Sequence, residues 1–180
     1  MLSTLKEFKP ALLFLAKFLG IYLVGNFLYG FFIESYKPFP DPVTQYVSSN
    51  TCTVLNIMGY STAAAPHPTV PSVVIRNYGN GVITVYEGCN SINVMIVFVA
   101  FMVAFGNFSR KKLWFMAGGL VVIYLLNLAR VTFLFWVAES IPDYLYFVHK
   151  YVFTIVIYAV VLLLWYLWIF KFNEKPAQPA

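Results

Sequence analysis

Charge is scarce in this chain: of 180 residues only 11% are charged, against 61% hydrophobic and 19% aromatic. A soluble domain is about half apolar and about a quarter charged, so a water-soluble fold is excluded. The composition predicts an all-α polytopic membrane protein with about four transmembrane helices and a small extracytoplasmic loop region. Cysteine is nearly absent, with Cys52 and Cys89 far apart and no Cys-x-x-Cys pair, which removes the usual dithiol redox motif. Histidine is limited to His67 and His149, and no His, Cys and carboxylate set stands at ligand spacing, so no metal or other cofactor is expected. Glycine-rich phosphate loops and internal repeats are missing too. The 12 Lys and Arg against 7 Asp and Glu are explained by membrane topology and anionic lipid, so lipid rather than nucleic acid is the partner that the net charge of +5 implies.

Runs long enough to cross a hydrocarbon core of about 30 Å, roughly 20 helical residues, fall at residues 11–33, 92–105, 113–137 and 151–170. The second is short, but Asn90 and Ser91 ahead of it are good N-cap residues and Gly106-Asn107 behind it is a helix stop; tilt and interface residues are left to cover the deficit. The first exceeds the apolar region of a secretory signal and lacks a small-x-small cleavage site, so it reads as a retained helix. Lys6, Lys9, Arg110, Lys111, Lys112, Lys171 and Lys175 all fall on one side of these spans. Only Lys37, Arg76 and Lys150 fall on the other. The positive-inside rule then puts both termini in the cytoplasm and the loop of residues 34–89 outside, within a single membrane-embedded domain.

That loop is the one part large enough for structure of its own. Val43, Tyr46, Val47, Val54, Leu55 and Met58 recur at roughly helical spacing and predict an interfacial amphipathic helix. Residues 63–71 read as a proline-punctuated connector. Residues 72–86 alternate in the manner of strands around a turn at 77–81, which predicts a β-hairpin delivering Cys89 to the next helix.

Three residues of unusual chemistry share one layer of this topology. Cys89 lies in Glu87-Gly88-Cys89-Asn90-Ser91-Ile92, a small-residue turn opening a helix, where backbone N–H groups and the dipole favour thiolate. The other reading is a structural disulfide to Cys52. Arg130 sits inside the third span, about 9 Å below Trp136 at 1.5 Å per residue; a charge there costs about 2.5 to 3.5 kcal/mol and usually faces the bundle interior with a function. Its alternative is a snorkelling or helix-pairing side chain. Asn127, one turn earlier on the same face, would hold the guanidinium, line the pocket, or make an ordinary interhelical hydrogen bond. His149 stands just outside the last span, as an imidazole at the site or an interfacial anchor beside Tyr146 and Tyr151. Glu87, Glu139 and Asp143 are the carboxylates available to orient it, and Asn90 is a further orienting candidate. His67, between prolines, reads as a solvated loop residue.

The Glu87 to Ile92 turn opening a membrane helix, Asn127-Leu128-Ala129-Arg130 inside the next, and His149 opening the last together resemble the Cys, Asn-x-x-Arg and His signature of the exosortase/archaeosortase family. The resemblance covers residues 87–166. It implies a prokaryotic inner-membrane cysteine transpeptidase or protease with its site on the extracytoplasmic face. The implied partner is an exported protein whose C-terminal tail carries a short motif, a transmembrane helix and basic residues, and which is passed to a surface acceptor. By the same resemblance Cys89 is the nucleophile, Arg130 the oxyanion stabiliser and His149 the acid/base. The chain departs from the pattern in having Asn-Ser after Cys89 where Ser-Gly is common, and in having four spans rather than about eight. Two other classes remain on the sequence: a thiol-redox membrane protein using Cys52 and Cys89, and a non-catalytic subunit of a secretion or polysaccharide assembly, which leaves Arg130 without a purpose.

Overall fold

A computed structural model describes residues 2–172; Lys175 lies outside the described residues. Five helices and one small sheet follow in the order α1 (Leu2–Glu34), α2 (Pro42–Ile57), β1 (Thr62–Pro66), β2 (Ser72–Asn77), β3 (Asn80–Tyr86), α3 (Ile92–Ala104), α4 (Arg110–Ser140) and α5 (Pro142–Phe172). The chain is a multi-pass membrane protein of mainly helical build. Three of its helices are long and apolar enough to cross a membrane, over Phe8–Glu34, Arg110–Ser140 and Pro142–Phe172.

The second expected span is shorter than a membrane. The 13 residues of α3 rise only about 20 Å at 1.5 Å each, against a core of about 30 Å. Tilt cannot make up that difference, because tilting shortens a helix's reach along the membrane normal. The turn at residues 87–91 and the Phe105 to Asn107 turn extend it instead. Lys112, counted from the sequence as a loop charge, is 1% exposed. Its Nζ donates to Phe105 O and to Asn107 O, capping carbonyls at the α3 C-terminus as a basic side chain does well there.

The third and fourth spans are longer than the apolar runs suggested. Ser109 caps α4 by accepting from Lys112 N at 3.2 Å, so the helix begins at Arg110 and its 31 residues measure about 46 Å. Only Ile141 separates it from α5. Pro142 fits the first turn of a helix, where no N–H is needed, so residues 138–150 are mostly helix rather than loop. His149 consequently lies within α5, in a π-helical turn at Val148–Val152, and not outside the span.

The loop region differs in two respects. Besides the expected hairpin, Thr62–Pro66 pairs antiparallel with β2 from Thr62↔Asn77 to Pro66↔Val73, giving a three-stranded sheet in the order β1-β2-β3. Proline at the end of an edge strand breaks no ladder. Asn77 and Asn80 close the hairpin around Tyr78 at φ 47° and Gly79 at φ 86°, the pair of left-handed residues that a tight hairpin turn requires. The helix in this loop forms, with Asp41 Oδ1 capping it by accepting from Val43 N and Thr44 N. Its buried face is not the expected apolar stripe, since Tyr46 and Met58 are exposed. Thr44, Val47, Ser48, Thr51, Cys52 and Leu55 turn inward. Ser48 and Thr51 return their hydroxyls to Thr44 O and Val47 O, which satisfies them inside the fold.

Two apolar clusters result. One joins Val47, Leu55, Ile75, Val85, Val131 and Phe135 between α2, the sheet and the C-terminal half of α4. The other joins Phe98, Met102, Ile123, Val161 and Trp168 between α3, α4 and α5. Close helix contact depends on small residues: a Cβ on Gly119 would lie 2.4 Å from Phe98 Cζ, and one on Gly25 2.8 Å from Ile96 Cγ2. Gly119→Val is therefore expected to destabilise the bundle by about 1–3 kcal/mol through overpacking. Gly118→Val, whose Cβ meets nothing within 4 Å, is expected to melt within a degree or two of the parent in detergent; equal melting temperatures for the two variants would contradict this packing.

Candidate active site

Between the two clusters α4 carries a polar layer. Ile123 belongs to one cluster and Val131 to the other, and Asn127 and Arg130 stand between them on neighbouring turns. Strand β3 runs down the C-terminal half of α4 toward this layer. At the top Asn77 Nδ2 donates to Glu139 Oε1 at 3.2 Å; at the bottom Asn127 Nδ2 donates to Cys89 O at 2.9 Å. Asn127 and Glu139 are about 18 Å apart along the helix. A short 3₁₀ turn, Glu87–Cys89, then sets Cys89 beside the polar layer.

Cys89, Arg130 and His149 converge. Cys89 Sγ lies 3.8 Å from His149 Nε2, and an Arg130 terminal guanidinium nitrogen lies 3.1 Å from the same Nε2. Arginine can only donate, so Nε2 accepts and the neutral ring carries its proton on Nδ1. The lone pair that takes the arginine's hydrogen bond also faces the thiol. Arg130 Nε is buried with no partner among the described residues, leaving an unsatisfied donor at the site, which is costly unless a ligand fills it. The three side chains open on a cavity of about 410 Å³, within the range of small-ligand sites, about 300–1,000 Å³. Its other walls come from residues 82–86 of β3, Val131 and Leu134 of α4, and Leu145 and Tyr146 of α5.

The remaining sequence candidates are placed differently. Asn127 neither holds the guanidinium nor lines the cavity; fully buried, it grips the Cys89 carbonyl. Asn90 points away from the cavity. Its Oδ1 accepts from Ile92 N at 3.1 Å, and its Nδ2 donates to Tyr29 Oη at 2.6 Å and Thr44 Oγ1 at 3.0 Å. It therefore caps α3 while tying the turn to α1 and α2, and Ser91, the other expected cap, makes no capping bond. No carboxylate orients His149 among the described hydrogen bonds. Glu139 is engaged by Asn77, and Asp143 is exposed. Glu87 turns toward α1 and α2, where burial, reinforced by the Asp41 charge, raises its carboxyl above the usual carboxylate range. The orienting contact on the imidazole comes from Arg130 instead. His67 is half-buried in the connector, accepting from Thr69 N at 3.2 Å.

Both cysteines are free thiols, so the disulfide reading finds no support. Burial in α2 raises the Cys52 thiol, and its carbonyl accepts from Thr62 Oγ1 at 3.2 Å. One feature of the site escaped the sequence: Tyr29, which donates to Glu87 O at 3.1 Å and braces the Cys89 turn from α1. A lone tyrosine in an apolar run gives no local sign of such a contact.

No curated protein and no solved structure matches the chain. One family profile, described as Transmembrane exosortase (Exosortase_EpsH), matches residues 7–167, extending the resemblance read from residues 87–166 back through α1 and the loop region. The likeness therefore reaches every helix and takes in the sheet as well as the Cys89, Arg130 and His149 layer, and the chain belongs to the transmembrane exosortase family.

Proposed function

We propose that this protein is a membrane cysteine transpeptidase that cleaves the C-terminal sorting tail of exported proteins on the extracytoplasmic face and hands the cleaved protein to a surface acceptor. The observation that carries the reading is the convergence of Cys89 Sγ and Arg130 on His149 Nε2, at 3.8 and 3.1 Å. A neutral imidazole whose lone pair faces a thiol can take its proton. The sulfur then attacks the scissile carbonyl carbon, an S–C bond forms, and the carbonyl electron pair moves onto oxygen. Arg130, turning from the imidazole toward this oxyanion, stabilises it in a partly desolvated site, where charge is worth more than in water. Collapse breaks the C–N bond, and His149 gives its proton to the leaving amine. The resulting thioester on Cys89 is released when an acceptor nucleophile attacks it and passes its own proton to His149.

Asn127 and Tyr29 serve as positioning residues, holding the turn from Cys89 O and Glu87 O. A redox role is less well supported, since the cysteines are unpaired and Cys52 is buried. The orientation is read from the basic residues near the N-terminal ends of α1 and α4 and the C-terminal end of α5. Reporter fusions test it: one after Lys171 is expected in the cytoplasm and one near Ala65 outside. In a host lacking the gene, exported proteins with a motif, an apolar span and a basic end are expected to keep their tails, and the parent gene restores processing. An extracytoplasmic C-terminus, or tails removed normally in the deletion host, would contradict the function.

A further inference from the structure

We propose that the open edge of β3 is the docking strand for the substrate, and that the extended segment preceding the scissile bond adds to it as a parallel fourth strand ending at Cys89. The inference rests on the reading of Cys89 as nucleophile and names how its substrate is held.

Strand β3 is terminal in the sheet, and among the described residues no backbone group outside β2 bonds to it. An edge of this kind is a ready template for another chain. The cavity identifies which side of the strand it follows. Side chains alternate between the two faces of a sheet, so a cavity against one face would touch every second residue. This one is lined by five consecutive residues, 82–86, and therefore runs along the strand's edge. Facing that edge are Leu145 and Tyr146 of α5, leaving a slot with backbone polar groups on one wall and mainly apolar side chains on the other. At its foot lie Cys89, Arg130 and His149.

Direction follows from the same placement. The segments flanking β3 are tied to α4 at Glu139, through Asn77 at the end of β2, and at Asn127, through the Cys89 carbonyl, about 18 Å apart along the helix, so β3 between them runs toward the middle of a membrane-spanning helix. A sorting tail that arrives from outside and continues into its own transmembrane helix travels the same way. Its strand is thus parallel to β3, and its carbonyl reaches Cys89 where β3 ends. Affinity then comes from main-chain hydrogen bonds, and selectivity from the apolar wall.

A parallel strand bonds to its neighbour through alternate residues, which gives a test with period two. The full chain in detergent is treated with the chloromethyl ketone of acetyl-Val-Thr-Val-Ala, and with versions N-methylated at one amide at a time. Sulfur displaces chloride, and the rate of Cys89 alkylation is read by mass spectrometry against chloroacetamide. The unmethylated reagent is expected to outrun chloroacetamide, and methylation at every second amide to slow it by about 3- to 10-fold, the worth of one lost hydrogen bond. Methylation at the intervening amides leaves the rate unchanged. A peptide reagent no faster than chloroacetamide, or slowed equally by methylation at every position, overturns β3 docking and leaves the nucleophile standing. Failure of chloroacetamide itself to alkylate Cys89 overturns the nucleophile and this inference together.

Discussion

Arg130→Lys is expected to slow tail cleavage by about 10²- to 10³-fold, the usual cost of one transition-state donor. Lysine keeps the charge but replaces a planar fork of five donors with a point ammonium. The fork matters because Arg130 has two tasks on different atoms: one terminal nitrogen donates to His149 Nε2 at 3.1 Å, and Nε is buried without a partner. A compact ammonium on a flexible stem does not present that fixed set of donors to the oxyanion once the ring nitrogen has taken the thiol's proton. Were Arg130 only a helix-pairing cation, lysine would preserve function, and alanine would lower the amount of protein in the membrane. Under the catalytic role both variants accumulate normally, both leave tails attached, and Cys89 still alkylates from outside. Near-normal processing by Arg130→Lys would remove the forked role.

What the sequence revealed was mostly what is chemically out of place in it. Cys89, Arg130 and His149 stand out because a thiol, a guanidinium and an imidazole are rare within or beside apolar runs, and the span ends, the positive-inside topology and the helical rise place them in one layer. Hidden features had ordinary or misleading local signals. Strand β1 is built on Ala63, Ala64 and Ala65, which lack the branched side chains of strands, and is fixed by pairing with β2. The inward face of α2 is largely Thr44, Ser48 and Thr51, residues that look solvated until their hydroxyls are seen to bond the preceding turn. Residues 138–150 looked like a loop because Glu139, Pro142 and Asp143 interrupt the apolar pattern, yet Pro142 starts a helix rather than ending one. Lys112 counted as a topology signal and is instead buried against the end of α3. The partners of Asn127 and Asn90 depend on contacts 38 and 61 residues away, which no local pattern encodes.

Cys89→Ala is expected to abolish processing, a loss on the order of 10⁶-fold where a nucleophile is removed, while Cys52→Ser retains most of it. Only Cys89 lies beside His149 and this cavity; Cys52 is buried on the inward face of α2. The most direct measurement is capture of the acyl-enzyme. Membranes from cells expressing the protein with a tail-bearing exported protein are quenched in acid, digested and mapped by mass spectrometry, with and without hydroxylamine. The expected result is the substrate's new C-terminus joined as a thioester to the peptide containing Cys89, cleaved by hydroxylamine and missing in Cys89→Ala. Tails removed at the parent rate by Cys89→Ala, or an acyl group found on a different residue, would contradict it.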